Sequence, residues 1–302
     1  MSVTIRNAAD RDDLALFLQI GSRVSDDTLP PVEELEHLST VEPEAAFHLA
    51  ELDGVVAGSG IGRLSSVTGC LYAIPRVVPE ARRRGVGTAL YATLSDHARV
   101  VGRDALVARV REDDVDSLEF ARKRGFREIS RELPVVLDLE DAAVDSPEPP
   151  PGVEIASLAD HPELEQSAYE VDVEATPDIL TEGELRAAET FGRWRGFVLE
   201  APSSLPDAMF VAIAAGTVVG YAQLIRVTDD VAENGLTAVR RAWRGRGIAT
   251  ALKRAQIEWA KAAGFKRIQT ANDEANVAMR GINRRLGYKP EPASLLLRGP
   301  LS

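Results

Sequence analysis

Apolar positions along the chain change period several times, and the same order of changes occurs twice. "VTIRN" alternates apolar and polar residues, then an aspartate-bearing turn leads into "LALFLQI", where apolar residues recur at helical spacing. "VEIAS" alternates likewise and leads past another aspartate into "ELEQSAYEV". Each opening is followed by a hairpin pattern: "AAFHLAELDGVVAGSGIGRL" turns at Asp53-Gly54, and "MFVAIAAGTVVGYAQLIRV" turns at Ala215-Gly216. A further strand ("LYAIPRVV", "GLTAVR") then runs into a basic turn broken by glycine. A helix follows, with Val86, Leu90, Leu94, Ala98 and Val101 on one face in the first half. The second half has Ile248, Leu252, Ala255, Trp259 and Ala262. Next come a strand ("DALVARV", "RIQTAN"), a helix, "GF" or "GY", and a last strand ("LPVVLDL", "ASLLL").

The two copies keep register. Arg244 of "RGRGIA" lies 162 positions after Arg82 of "RRRGVG", and Gly287 of "LGY" the same 162 after Gly125 of "RGF". The block from basic turn to final helix is therefore matched without a gap. Upstream the second half carries an insertion around "TFGRWRGFVLEAPSSLPDA". Between the halves runs "DAAVDSPEPPPG", acidic and proline-rich with nothing to bury, which is linker composition. The expected division is a domain over 1–140, a linker over 141–151 and a second domain over 152–302.

Composition narrows the function. Hydrophobic residues make up 45% of the 302 residues and charged residues 27%, values of a soluble globular protein. No apolar run approaches membrane-span length and the start shows no leader pattern, so the expected location is the cytoplasm. The single cysteine, Cys70, cannot form an internal disulfide and reads as a strand residue. A net charge of −12 argues against nucleic-acid binding, and His37, His48, His97 and His161 have no ligand spacing, so no metal is expected.

Against that acidic background the two basic turns stand out. A strand that ends in Arg-x-x-Gly-x-Gly and flows into a helix makes an anion site. The first helical turn has unpaired N–H groups, glycine lets an anion approach them, and the dipole and arginines add positive charge. Together these suit a pyrophosphate. The turn is neither a Walker loop nor the dinucleotide fingerprint.

At these residues the chain resembles the GNAT superfamily of acyl-CoA-dependent N-acyltransferases. The family signature, Gln/Arg-x-x-Gly-x-Gly/Ala at a strand-to-helix junction, stands here as Arg82-Arg83-Arg84-Gly85-Val86-Gly87 and as Arg244-Gly245-Arg246-Gly247-Ile248-Ala249. The family's preceding Val-x-Pro is present as Val77-Val78-Pro79. In the second half it reads Val239-Arg240-Arg241, without the proline. The tandem arrangement is also similar to that of mycothiol synthases, from which no substrate carries over. The resemblance implies an α/β (α+β) fold: two tandem domains, each a mixed, mostly antiparallel twisted sheet flanked by helices. It also implies acetyl-CoA as cosubstrate. The pyrophosphate would lie on the N–H groups of Arg83–Thr88 and Gly245–Thr250. The pantetheine arm would run along Val77-Val78 and Val239-Arg240, one of whose N–H groups would polarise the thioester carbonyl.

The family commonly places an asparagine eleven residues before the glycine of "GF" and an acid tyrosine four before it. The second half has Asn276 and Asn283 there, and the first half Asp114 and Ala121. Both lack the tyrosine, and the asparagines favour the second half as catalytic. Asn276 and Asn283, seven apart, fall on one helical face where two amides could donate to a thioester arm, or else Asn272 caps the helix and the other two face solvent. Glu233 is the best-placed carboxylate to take a proton from an attacking amine, or else is a plain turn residue of "DDVAEN". Asp172, Glu174, Glu182 and Glu184, with Asp26, Asp27, Glu33 and Glu34 in the first half, stand on the early helices, where a cationic acceptor would bind or which are plain helix surface. Trp194 and Trp243 either line the site or pack the core. The expected activity is direct acetyl transfer to the amine of a small molecule or peptide by a monomer or homodimer. The alternative is an acyl-CoA-binding protein without turnover.

Overall fold

Each half folds through the elements its pattern predicts. In a computed structural model, residues 2–25, 29–142, 149–178 and 190–302 are described. The first half forms β1 (Val3–Asn7), α1 (Arg11–Ser22), α2 (Val32–Val41), β2 (Ala46–Leu52), β3 (Val55–Leu64), β4 (Cys70–Val77), α3 (Val86–Val100), β5 (Ala105–Arg111), α4 (Val115–Arg122) and β6 (Arg127–Asp138). The second forms β7 (Glu154–Ser157), α5 (Glu165–Ala175), α6 (Phe191–Val198), β8 (Phe210–Ala214), β9 (Thr217–Arg226), β10 (Val231–Val239), α7 (Ile248–Ala262), β11 (Arg267–Asp273), α8 (Val277–Arg285), β12 (Lys289–Pro290) and β13 (Ser294–Pro300). The predicted insertion supplies α6, whose N-cap Thr190 accepts from the Arg193 N–H. Both hairpin turns have two successive left-handed residues, Asp53-Gly54 and Ala215-Gly216, as a two-residue turn with matching strand twist requires.

The chain forms two compact units. The first comprises the described residues up to Arg131 together with Ser294–Ser302, and the second the described residues between Glu132 and Ala293. The first sheet runs β1-β2-β3-β4-β5-β13, and the second β7-β8-β9-β10-β11-β6, with β12 beside β6. Within each, neighbours are antiparallel except at one step, β4–β5 in the first and β10–β11 in the second. The two sheets are thus the same mostly antiparallel design.

The units differ from a simple cut at the linker, because each half's last strand belongs to the other half's unit. β13 pairs with β5 from Ser294↔Arg111 to Pro300↔Ala105. Residues 132–138 of β6 pair with β11 from Arg267↔Asp138 to Asp273↔Glu132. Leu295 and Leu297 are buried with Leu106 and Phe126, whose ring lies so close to Gly299 that a Cβ there would overlap it. The Tyr91 hydroxyl donates to the Pro300 carbonyl at 2.7 Å. In the second unit Leu137 packs with Tyr288. A glycine opposite the Phe126 ring and a leucine opposite Tyr288 match each strand to the unit that holds it.

In the first unit α3 buries Val86, Leu90, Leu94 and Ala98 as the spacing predicts. In the second the buried face of α7 is rotated from the expected one. Ile248, Leu252 and Ala255 are inside, but Trp259 is half-exposed and Ala262 exposed, while Lys253, Gln256, Ile257 and Ala260 are buried. Two polar side chains on the inner face account for the difference.

Candidate functional site

In each unit the one parallel strand pair is short. β4 meets β5 only over Cys70–Tyr72, and β10 meets β11 only over Val231–Glu233. Beyond these residues the strands part, leaving a cleft whose far end is the basic turn. The turns have matching backbones: Arg83 and Gly85 are left-handed in the first, Gly245 and Gly247 in the second. Gly85 and Gly247 are the N-caps of α3 and α7, and no side chain caps either helix. The first-turn N–H groups without a backbone partner are therefore left for an anion; in the first unit the Thr88 N–H already donates to the Gly85 carbonyl at 3.1 Å. A Cβ at Gly245 or Gly247 would meet nothing within 4 Å.

The first arginine of each turn has a bracing role. Arg244 Nε donates to the Val239 carbonyl at 3.0 Å, and Arg82 Nε to the Val77 carbonyl at 3.4 Å. Arg244 also pairs with Asp178 at 2.7 Å, and Arg82 with Asp116 at 3.3 Å. Asp178 holds Arg241 as well, and these hydrogen bonds lower its carboxyl to about 2. Arg84 pairs with Asp53 at 3.5 Å, and the Arg246 guanidinium lies 4.7 Å from the Trp243 ring centre.

The clefts themselves differ. In β10 two residues, Gly235 and Leu236, oppose Gln223 alone, a bulge that β4 lacks. A bulge bends its strand, here just where β10 leaves β11. The Arg240 N–H donates to the Val219 carbonyl at 2.9 Å, and the Val78 N–H to the Ala57 carbonyl at 3.0 Å. Both amides are therefore committed to the neighbouring strand. Strand alternation turns the Val239 amide the other way, toward the cleft.

Glu233 stands at the apex, half-buried, accepting from Gln269 Nε2 at 2.7 Å. Asn283, 1% exposed, points inward from α8. Its Nδ2 donates to Asn272 Oδ1 at 2.6 Å, while its Oδ1 has no partner. Thr237 Oγ1, past the bulge, is likewise buried without a partner. Asn276 is the N-cap of α8 and accepts from the Met279 N–H at 3.2 Å. Asn272 therefore does not cap the helix, and Asn276 and Asn283 do not act as one face: the structure joins Asn283 to Asn272 instead. Among the early acids, Asp172 accepts from the Tyr221 hydroxyl at 2.6 Å, and Glu174 accepts from the Arg241 N–H at 2.6 Å and pairs with Arg240. Glu33 pairs with Arg11. Glu34 lies on α2. Asp26, Asp27, Glu182 and Glu184 lie outside the described residues. Trp194 is buried in the core with Tyr169 and Tyr221, and Cys70 is fully buried.

In the first unit α4 reaches over the turn. The Phe120 ring is so close to Gly87 that a Cβ there would sit 3.0 Å from it, with Val77 on the same side. Arg124 stacks on that ring at 3.5 Å and donates to Thr88 Oγ1 at 2.8 Å. The second unit has Ile282 and Leu286 at the corresponding places. Asp114 is the N-cap of α4, accepting from the Ser117 N–H at 3.0 Å, the task Asn276 performs in α8. That position therefore has the same local role in both units.

Sequence reasoning missed a polar cluster under the second cleft. Asn234, next to the bulge, accepts at Oδ1 from Lys253 Nζ (2.9 Å) and from the Tyr288 hydroxyl (2.6 Å). Its Nδ2 donates to Gln256 Oε1 at 2.8 Å. Thr270 Oγ1 donates to the Asn234 carbonyl at 3.2 Å. The available signal was the in-register comparison, which sets Lys253, Gln256 and Tyr288 against Tyr91, Leu94 and Phe126. Among the described residues no group of three or more His, Cys, Asp or Glu side chains is placed to hold a metal ion, and no helix is long and apolar enough to cross a membrane.

Two clefts of this kind, each closed by a glycine turn on a helix N-terminus, define an acyltransferase scaffold used twice. The chain belongs to the GNAT acetyltransferase family, whose model matches residues 14–126 and again 166–288. An N-alpha-acetyltransferase of Sulfurisphaera tokodaii is 29% identical over 150 residues, covering 46% of this chain and 88% of that one. Among solved structures, a tandem GNAT protein from the clavulanic acid biosynthesis pathway superposes with a TM-score of 0.78 at 21% identity, covering 100% of this chain and 99% of the other. A GCN5-related N-acetyltransferase from Sphaerobacter thermophilus does so with a TM-score of 0.74 at 21% identity, covering 99% and 96%.

Proposed function

We propose that the protein is an acetyl-CoA-dependent N-acetyltransferase whose second unit carries the activity. The observation that carries this reading is the second cleft. It has a bulged strand, a turn with glycine at both left-handed positions, and a helix N-terminus that no side chain caps. Acetyl-CoA would lay its pyrophosphate on the N–H groups of Gly245–Thr250, with Arg246 adding charge. Its pantetheine arm would follow Val239 and Arg240 toward Asn276 and α8. In the first unit Arg82–Thr88 forms the same turn at the end of Val77-Val78, but Phe120 and Arg124 stand over Gly87 and Thr88. The first unit therefore serves as a structural partner.

The acceptor is an amine of a small molecule or peptide. It must attack as the neutral base, and Glu233 at the cleft apex takes its proton, directly or through one water. The nitrogen–carbon bond forms while the Val239 N–H holds the developing oxyanion, and the carbon–sulfur bond then breaks. The place of the family's acid tyrosine is held by Asn283. Asn283 can stabilise the thiolate by a hydrogen bond, and water returns the proton. With the lone cysteine buried and no serine elbow in the sequence, transfer is direct and rests on holding both substrates together.

Release of CoA thiol from acetyl-CoA, measured against a panel of amines, tests the reading. Turnover with initial-rate lines that intersect supports direct transfer. Parallel lines or an acetylated residue on the protein would overturn it. The missing acid favours a second reading, an acyl-CoA-binding protein without turnover, and tight binding with no thiol release from any amine would establish that instead.

A further inference from the structure

Lys253 is 2% exposed, on the inner face of α7, and among the described residues no carboxylate pairs with it. Burying an ammonium group without a counter-charge is costly, and replacing such a group by an apolar one of similar size is often stabilising. The first unit shows that the fold does not need a charge at this place. There the matching helix positions hold Tyr91 and Leu94, the ring after α4 is Phe126, and the strand position is Ala73, all packed as an apolar core. The strand offset is one residue smaller at Ala73 because β10 contains the extra residue of the bulge. The polar set and the bulge therefore occur together in one unit and are both missing from the other.

The connections of the set explain why. Asn234 is the last residue of β10 before Gly235 and Leu236 step out of register, and it is adjacent to Glu233, the last residue paired with β11. Its side chain is held from α7 by Lys253 and Gln256 and from beyond α8 by Tyr288. Its carbonyl is held from β11 by Thr270. Gln256 is anchored in turn on the Ala208 carbonyl at 3.3 Å. The Lys253 ammonium also faces the Tyr288 ring, 5.3 Å from its centre. α7, β11 and the segment after α8 are thus tied to one asparagine side chain or its carbonyl. A strand released at this point would be free to straighten its bulge, moving Glu233 and the Val239 amide relative to one another.

We propose that Lys253, with Asn234, Gln256 and Tyr288, is a positioning network for acetyl transfer: it fixes the bulge of β10 so that the base at Glu233 and the amide at Val239 face one thioester. The inference rests on the acetyltransferase reading of the second unit. It makes the network a determinant of the chemical step and not of cosubstrate affinity, because the pyrophosphate turn, Gly245 to Thr250, takes no part in it.

The test is Lys253→Met, which keeps the length and apolar stem and removes the donor, with Tyr288→Phe as a milder second variant. Thiol release, acetyl-CoA affinity by calorimetry and the melting temperature are measured for each beside the wild type. The expected result for Lys253→Met is a kcat lower by about 10- to 100-fold, the scale of a misplacement of about 1 Å. Acetyl-CoA affinity should change by less than about twofold, and the melting temperature should be equal or higher. Tyr288→Phe should fall between it and the wild type in kcat. A wild-type kcat in a folded Lys253→Met variant would overturn the inference, as would a kcat that falls only in step with affinity and melting temperature. Absence of turnover in the wild type is a different outcome: it would remove the acetyltransferase reading and this inference with it.

Discussion

The two units share strand order, turn geometry and register, yet their interiors are built oppositely. Under the first cleft the matching positions Ala73, Tyr91, Leu94 and Phe126 pack as an apolar core, and Phe120, with Arg124 stacked on it, lies against Gly87. Under the second lies a satisfied polar cluster, and the strand above it is bulged. A fold can be kept by packing alone, as the first unit shows. The second keeps polar groups that packing does not require, which is expected where chemistry is done. The two halves thus share one topology and differ in the side chains around the cleft and in the bulge of β10.

The largest effect that would break this comparison comes from the turns. Gly247→Glu places a charged side chain at a left-handed position beside the helix N-terminus and should abolish acetyl-CoA binding by calorimetry. Gly85→Glu should leave binding and turnover unchanged. If Gly85→Glu destroyed turnover while Gly247→Glu spared it, the active unit would be the first. Next is Glu233→Gln, which should lower kcat by about 10²- to 10⁴-fold with little change in acetyl-CoA affinity. A kcat within twofold of wild type would assign the base elsewhere.

The strand exchange is tested by Leu297→Ala. Leu297 is buried in the first unit although it ends the second half of the sequence. The substitution should cost about 2–5 kcal/mol. Hydrogen exchange should show lost protection in β2 to β5, with acetyl-CoA affinity intact. Lost protection in β8 to β11 instead would contradict the exchange.

A smaller effect separates the interiors by pH. Burial lowers the Lys253 ammonium from its ordinary 10.5 to about 7. Between these values the unfolded chain keeps the proton and the folded chain does not, so stability should rise with pH from about 7 to 10.5, with the full penalty present below 7. Tyr288, the other titratable group against it, is raised by burial and stays protonated in the folded state across this window. Denaturant titrations at several pH values should show this rise in the wild type and a flatter segment in Lys253→Met. Equal slopes would place the proton elsewhere. The smallest effect concerns Phe120→Ala, which uncovers the first turn. Calorimetry at high acetyl-CoA should then find a weak second site. A stoichiometry still at one in the folded variant would show that the ring is not what separates the halves.

Much of this was legible in the chain. The alternation, the two-residue turns and the common offset of 162 determine the elements, the repetition and the glycine turns, because they depend on local backbone preferences that a few adjacent residues express. Which unit each final strand joins was not legible. "LPVVLDL" and "ASLLL" offer similar apolar faces, and contacts that tell them apart, Phe126 beside Gly299 and Tyr288 with Leu137, join residues far apart in the sequence. Nor was the burial of Lys253. A lysine on an amphipathic helix reads as solvated surface, and its reversal depends on Asn234 of β10 and Tyr288 after α8 arriving from two other places in the sequence. The same holds for Asn283, whose partner is Asn272 rather than the spaced Asn276. Local propensity writes the elements into the sequence. Partnerships between distant side chains exist only once the tertiary structure has brought them within hydrogen-bond reach, and the polar cluster under the second cleft is made entirely of such partnerships.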